Sequence, residues 1–255
     1  MQAGKELFVK SCTRRKRNET VRPKSIFVLA VWIVVGIGLM AAVWTYGFTV
    51  VSIAEVQKVE QSEAFDPVKY VDGIWVSKII PTITDKAVDL STILNAMHPN
   101  ADGFAAKGDL IPIANKYGLI TVGEAHVYMV KGTGQVVNVD TSSSTGTMEI
   151  QLQGYSGPIK ILVYIGPRIP SDETSIRDGV GFINFGDFKE QTQYGKVGAE
   201  INNRIITEVL APLGKDQLQG KNVTFYGAMT IRTFNLITIN LKKVAIVPMR
   251  IEVKE

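Results

Sequence analysis

The sequence predicts one transmembrane helix followed by an α+β, mainly antiparallel β extracytoplasmic domain. Three observations predict it. Ser25 to Ala54 carries no charged residue. From Thr121 onward, apolar residues recur with period two, the pattern of half-buried strands. Between two groups of such strands, residues 190–210 return to helical spacing.

The apolar core runs from Ile26 to Trp44, and a spanning helix needs about 20 such residues at 1.5 Å rise. Trp44 and Tyr46 stand near one end, where aromatic belts form. Residues 1–24 hold eight Lys or Arg against Glu6 and Glu19, a charge of +6, while the remainder of the chain carries −2. The basic excess places the N-terminus in the cytoplasm. It also removes the electrostatic case for nucleic acid, because a basic footprint has to sit on the binding domain itself. The apolar stretch is longer than a cleavable signal's, and Met40-Ala41-Ala42-Val43-Trp44 offers no good small-x-small site. An uncleaved, single-pass signal-anchor in the cytoplasmic (inner) membrane is therefore expected. Cys12, the one cysteine, falls in the tail, so the exported part must be held by packing, for which about 200 residues suffice. The expected division is a basic tail over 1–24, the anchor and its flank over 25–54, a stalk and helical subdomain over 55–122, and a barrel over 123–255.

After a polar stalk, Glu55 to Glu63, the spacing from Thr84 to about Gly118 is helical. Leu90, Ile93, Leu94 and Met97 share one face. His98-Pro99-Asn100 breaks that helix, and a second covers Asp109 to Tyr117, stopping at Gly118. Residues 124–131 and 135–140 read as two strands separated by Gly132-Thr133-Gly134. The polar run Thr141 to Gly146 reads as a turn. Met148, Ile150 and Leu152 then alternate with polar residues, as do Ile159, Ile161, Val163 and Ile165. An irregular segment from Arg168 to Phe188 leads to a helix with the stripe Tyr194, Val197, Ile201, Ile205 and Val209, ended by Ala211-Pro212. Three further alternating runs close the chain: Val223 to Ile231, Ile237 to Leu241 and Val247 to Val253. This order fits an OB-like barrel with added N-terminal helices, its later helix filling the gap between the third and fourth strands; closure removes exposed edges. A β-sandwich with helices is the alternative.

Several blocks carry a family likeness: FDPVKYVDGIWVSKIIPTI at 65–83, VKGTGQVVNVDTSSSTGTMEI at 130–150, YIGPRI at 164–169, IRDGVGFINFGDFKEQTQY at 176–194, VLAPL at 209–213, VTFYGAM at 223–229 and VPMRIEV at 247–253. In these the chain resembles a bacterial family of predicted periplasmic lipoproteins of unknown function, often encoded beside sugar ABC transporters. The resemblance implies an extracytoplasmic module with an OB-like barrel and no established activity. The chain departs from that family in lacking a cysteine after the apolar stretch. The resemblance's lipid anchor is thus replaced, in this reading, by a protein one.

Chemistry-bearing patterns are sparse. His98 and His126 lack metal-ligand spacing, and no metal or cofactor is expected. Gly179-Val180-Gly181 with Gly186 lacks the G-x-G-x-x-G spacing, and no nucleophile elbow is present. No catalytic residue is assigned and no enzymatic activity is expected. Two polar constellations are candidate ligand or partner surfaces. One is Asp140 with the following hydroxyl run, for which a turn bonding its own backbone is the favoured alternative. The other is Arg177, Asp178, Asn184 and Asp187, interleaved with Phe182, Phe185 and Phe188. Such groups suit polar-ligand recognition, or else serve loop backbone around a phenylalanine core. The leading expectation is a membrane-anchored binding or interaction module; by resemblance, its partner would be a sugar ABC transporter or its substrate-binding protein. An OB-fold nucleic-acid-binding protein is one alternative, disfavoured by the −2 charge. An exported carboxylate-dependent hydrolase is another, and would need a pair such as Asp178 and Asp187 roughly 5–10 Å apart across a cleft. The sequence sets no oligomeric state.

Overall fold

The computed structural model describes residues 23–46 and 65–254, and the chain divides into two units, residues 1–64 and 65–255. The first contains α1 (Pro23–Tyr46). Its run Ile26–Thr45 is apolar and exposed along its whole length. Twenty residues span about 30 Å, the thickness of a bilayer's hydrocarbon core. The Thr45 hydroxyl donates back to the Ala41 carbonyl at 2.9 Å, so this polar group is satisfied within the helix. Residues 1–22 of the basic tail, Cys12 among them, and the stalk Glu55–Glu63 lie outside the described residues, while Pro23 and Lys24 open α1.

The second unit opens with α2 (Pro67–Ile74). Asp66 caps it, its carboxylate accepting from the Val68 and Lys69 N–H groups at 2.9 and 3.2 Å; Pro67 costs nothing at the first position. The helix widens into a π turn at Trp75–Ile79 and resumes as α3 (Ile80–Lys86). Pro81 has no N–H for the carbonyl four residues back and would crowd it, and the widened turn lies immediately before it. Then come β1 (Val88–Asp89), α4 (Leu90–Met97), β2 (Phe104–Ala106), α5 (Lys107–Tyr117) and β3 (Leu119–Ile120). The expected stripe of α4 is fully buried.

The barrel follows. Its strands are β4 (His126–Asp140), β5 (Thr147–Leu152) and β6 (Lys160–Tyr164). Next are α6 (Ser175–Gly179), a 3₁₀ turn (Phe185–Asp187), and α7 (Gln191–Arg204), which runs into a second π turn (Ile205–Leu210). The chain ends with β7 (Asn222–Ile231), β8 (Thr238–Asn240) and β9 (Lys243–Lys254). β4 pairs with β5, β5 with β6, β6 with β9, β9 with β7, and β7 back with β4. The ring is closed. Every pairing in it is antiparallel except β6–β9. Three strands, a helix and two strands closing in this order form an OB-fold, so the barrel holds and the sandwich does not.

Two local expectations are corrected. Gly132-Thr133-Gly134 does not separate two strands; it lies within one, β4. β4 pairs with β7 over His126–Gln135 and with β5 over Gly134–Asp140, so the glycines stand where the strand changes partners. A Cβ on Gly132 would lie 2.7 Å from Leu152 and 2.8 Å from Phe225. Glycine thus marks a tight barrel corner here rather than a turn. The residues from Ile237 to Leu241 are also not a sixth ring strand: β8 leaves the ring and pairs with β2.

Two hydrophobic layers hold the unit together. The barrel interior combines Tyr128, Val130, Met148, Ile150, Phe225 and Ile246 with the stripe of α4 and with Leu110 and Ala114 of α5. An outer layer joins Val71, Trp75, Ile79 and Ile83 to Val197 and Ile201 of α7 and Ile205 of the second π turn, over the outward residues Ala228, Val247 and Met249. Hence α7 sits between the third and fourth barrel strands in sequence, yet packs its stripe outside the barrel; α4 and α5 complete the interior. Polar contacts tie the first helical segment to the second, with the ion pair of Asp72 on α2 and Arg204 on α7 at their centre. The Trp75 indole N–H donates to Glu208 at 2.8 Å, and Arg204 meets Asp72 and Glu200.

Candidate functional site

Arg177 and Asp178 on α6 are used by the fold. The Arg177 guanidinium pairs with Asp178 at 2.8 Å, lies 3.7 Å from the Tyr194 ring centroid and donates to the Tyr194 carbonyl at 3.3 Å. Asp178 also accepts from the Tyr194 hydroxyl at 2.9 Å and the Thr174 hydroxyl at 2.7 Å. Gly198 permits the stack, since a Cβ there would stand 3.2 Å from the guanidinium. Burial, reinforced by Asp178, pushes the Tyr194 hydroxyl up to about 12. The result is a clamp joining α6 to α7. Asn184 and Asp187 cap the 3₁₀ turn, the Asn184 N–H donating to Asp187 at 3.1 Å. Arg177, Asp178 and Asn184 line one cleft; Asp187 belongs to the adjoining turn.

Asp140 lines a different cleft. It ends β4 and accepts from the Ser142 N–H at 2.9 Å and hydroxyl at 2.6 Å, which hold its carboxyl below the usual range. The Ser143 and Thr145 hydroxyls pair at 3.0 Å. The hydroxyl loop is pinned to the segment after β6: Gly166 N–H donates to the Thr145 carbonyl and Arg168 N–H to the Ser144 carbonyl, at 2.9 and 3.1 Å. The approach requires two glycines, because Gly146 has φ +41° and Gly166 packs against its backbone. The hydroxyls are thus presented on a fixed backbone.

This second cleft has a volume of about 580 Å³. Its floor is the outer face of the second and third barrel strands, with Thr147 opposite Tyr164 across β5–β6. One wall is the β4–β5 hydroxyl loop. The other is the β7–β9 connection, with Leu236 and Asn240. Glu173 closes the cleft from behind at 7% exposure. Burial raises its carboxyl above the ordinary range, partly offset by Ser175 and Arg232. Burial also raises the Tyr164 hydroxyl, and Glu173 adds to it. The Thr230 hydroxyl, buried in the lining, has no protein hydrogen-bond partner, an uncommon state for a buried polar atom. Arg232 leans on Asp172, 2.9 Å from its carbonyl and 3.1 Å from its carboxylate.

Sequence reasoning found Asp140 and the loop hydroxyls but missed Tyr164, Glu173, Thr230 and Arg232. These come from three segments, the end of β6, the loop after it and the end of β7, with no common spacing. The signal that could have found them was the strand order itself, since OB-folds use the face of strands two and three and the flanking loops. Among the described residues no group of three or more His, Cys, Asp or Glu could hold a metal ion. His126 is buried in β4, where burial and then Lys107 lower its pKa; His98 occupies a left-handed position after α4.

A closed OB barrel with a cleft over the outer face of its second and third strands, in a chain that also carries an exposed apolar helix, defines a membrane-associated OB-fold domain. The chain belongs to the family described as predicted periplasmic lipoprotein (DUF2291), which matches residues 38–252. The domain is accordingly extracytoplasmic. Among solved structures it is similar to an OB-fold protein from Thermotoga maritima, with 17% identity and a TM-score of 0.54 over 75% of this chain and 100% of that one. That likeness is one of fold. No curated protein matches the chain.

Proposed function

We propose that this protein is a membrane-tethered binding module, not an enzyme, that takes a small neutral polyhydroxylated ligand in the cleft between the β4–β5 and β7–β9 loops. In this reading α1 is a permanent single-pass anchor in the cytoplasmic membrane, with the N-terminus inside. The module serves a sugar ABC transporter or its substrate-binding protein.

The observation that carries the proposal is the lining of the cleft. Its two carboxylates, Asp140 and Glu173, are balanced by two cations, Arg232 and Lys243, among hydroxyls and the Asn240 amide. OB-folds bind oligosaccharides and oligonucleotides on this face. A strand of nucleic acid calls for a basic groove with stacked aromatics, whereas here Tyr164 is the one aromatic in the lining. Hydroxyl-bearing neutral ligands fit alternating donors and acceptors. Hydrolysis draws less support, because both Asp178 oxygens are engaged by Arg177, Tyr194 and Thr174.

The test is affinity purification of the full-length chain from its native membrane, with partners identified, beside sugar-uptake assays of a deletion strain. Co-purification of transport components and impaired uptake are expected. Unchanged uptake with no partner would sink the transport role. Salt-dependent binding of single-stranded DNA would overturn the ligand class.

A further inference from the structure

We propose that a second face of the domain, the apolar cleft beside Tyr194, rests on the lipid surface of the membrane. The proposal is independent of the ligand cleft. This cleft, about 710 Å³ in volume, is bordered by Leu119, Ile120, Val122 and Phe185. Val122 is fully exposed and Phe185 55% exposed. Val122 is held out by a tight turn, in which Glu124 N–H donates to the Thr121 carbonyl and Thr121 N–H to the Ala125 carbonyl, each at 2.9 Å. A second apolar tip stands beside it, with Phe234 at 62% and Ile237 at 87% exposure. The Thr233 hydroxyl clips the two tips together by donating to the Glu124 carbonyl, and Lys107 N–H at the start of α5 holds the second tip by donating to the Ile237 carbonyl at 2.8 Å. The nearby charges are paired, Lys107 with Glu124 and Arg177 with Asp178. Contiguous exposed apolar surface of this kind marks an interaction face.

The tether identifies the occupant. Eighteen residues separate the end of α1 from Phe65, a reach of at most about 65 Å. With α1 as the permanent anchor proposed above, a reading on which this inference rests, the domain works close to lipid. Phe65, where the tether joins, is linked to the cleft by consecutive ring contacts: Phe65 to Phe188 at 5.5 Å, Phe188 to Tyr194 at 5.7 Å, and Tyr194 to Phe185 at 5.6 Å. The apolar face is thus continuous with the edge of the domain where the chain arrives from the membrane. Tyr117 and Lys116, whose ammonium lies 4.8 Å from the Tyr117 ring, precede Leu119; such side chains place an apolar stem in the interface and a polar end in water.

The test uses the full-length chain with Cys12→Ser, reconstituted into phosphatidylethanolamine/phosphatidylglycerol vesicles that contain acyl-chain nitroxide lipid. An environment-sensitive fluorophore is attached at Val122→Cys or, for comparison, at Val137→Cys, toward the other end of β4. The Val122 label should shift to the blue and be quenched severalfold more than the Val137 label. Adding Phe185→Asp and Ile237→Asp should abolish the difference without changing the circular dichroism spectrum. Equal quenching at both sites would overturn the proposal. So would protection of Val122 in native membranes but not in pure lipid, which would assign this face to a protein partner.

Discussion

Arg177→Ala separates a structural clamp from a ligand site. The Arg177 side chain is 10% exposed and that of Asp178 is 16% exposed, so the variant strands a carboxylate away from water. Breaking a buried pair by removing one partner costs about 3–5 kcal/mol. Asp178 keeps two hydroxyl donors, at 2.7 and 2.9 Å, which favours the lower end, about 3 kcal/mol. For a domain of this size each kcal/mol moves the melting temperature by about 2–4 °C, so the expected drop is about 6–12 °C. The assay is urea and thermal unfolding followed by circular dichroism. Arg177→Ala/Asp178→Ala should recover part of the loss, with a coupling of about 1–3 kcal/mol. A cost under about 1 kcal/mol, as exposed pairs give, or strictly additive single variants, would refute the clamp and return these residues to the candidate ligand groups.

Three further outcomes are expected. The folded domain holds the Glu173 proton more tightly than the unfolded chain, so stability present below the ordinary value of 4.5 is lost as pH rises through the raised folded value; Glu173→Gln should flatten that dependence in acid-to-neutral denaturant titrations and stabilise the domain at neutral pH. Ile201→Ala opens a hole in the outer layer, where Ile201 is fully buried, and should cost about 2–5 kcal/mol in the same unfolding assay. Intact mass of the protein from membranes should include residues 1–24; a product starting after the apolar stretch would refute the uncleaved anchor.

What could be read without coordinates was what depends on local repetition. The α4 stripe and the alternation of Met148, Ile150 and Leu152 each place apolar groups on one side of a regular element, and all these residues are buried. The α7 stripe was visible for the same reason, but nothing in its spacing says which apolar surface it meets. Gly132 and Gly134 looked like a turn because glycine usually punctuates; only the neighbouring strands explain them, with Leu152 and Phe225 crowding Gly132 and the Gln151 carbonyl and Ile150 crowding Gly134. The helix at 67–86 was missed because its π turn shifts the 3.6-residue period at Trp75–Ile79.

The sequence by itself determined the exposed apolar helix, the charge split across it, the strand-helix-strand order and the hydroxyl run after Asp140. Tertiary structure alone decided that Arg177 and Asp178 neutralise one another, and that Thr147, Tyr164, Glu173, Thr230 and Arg232 share a cleft. The physical reason is the range of the interactions. Periodicity records which face of one element avoids water. A site is assembled by strand register and by loops pinned across the barrel, and those contacts join residues tens of positions apart with no repeating interval between them.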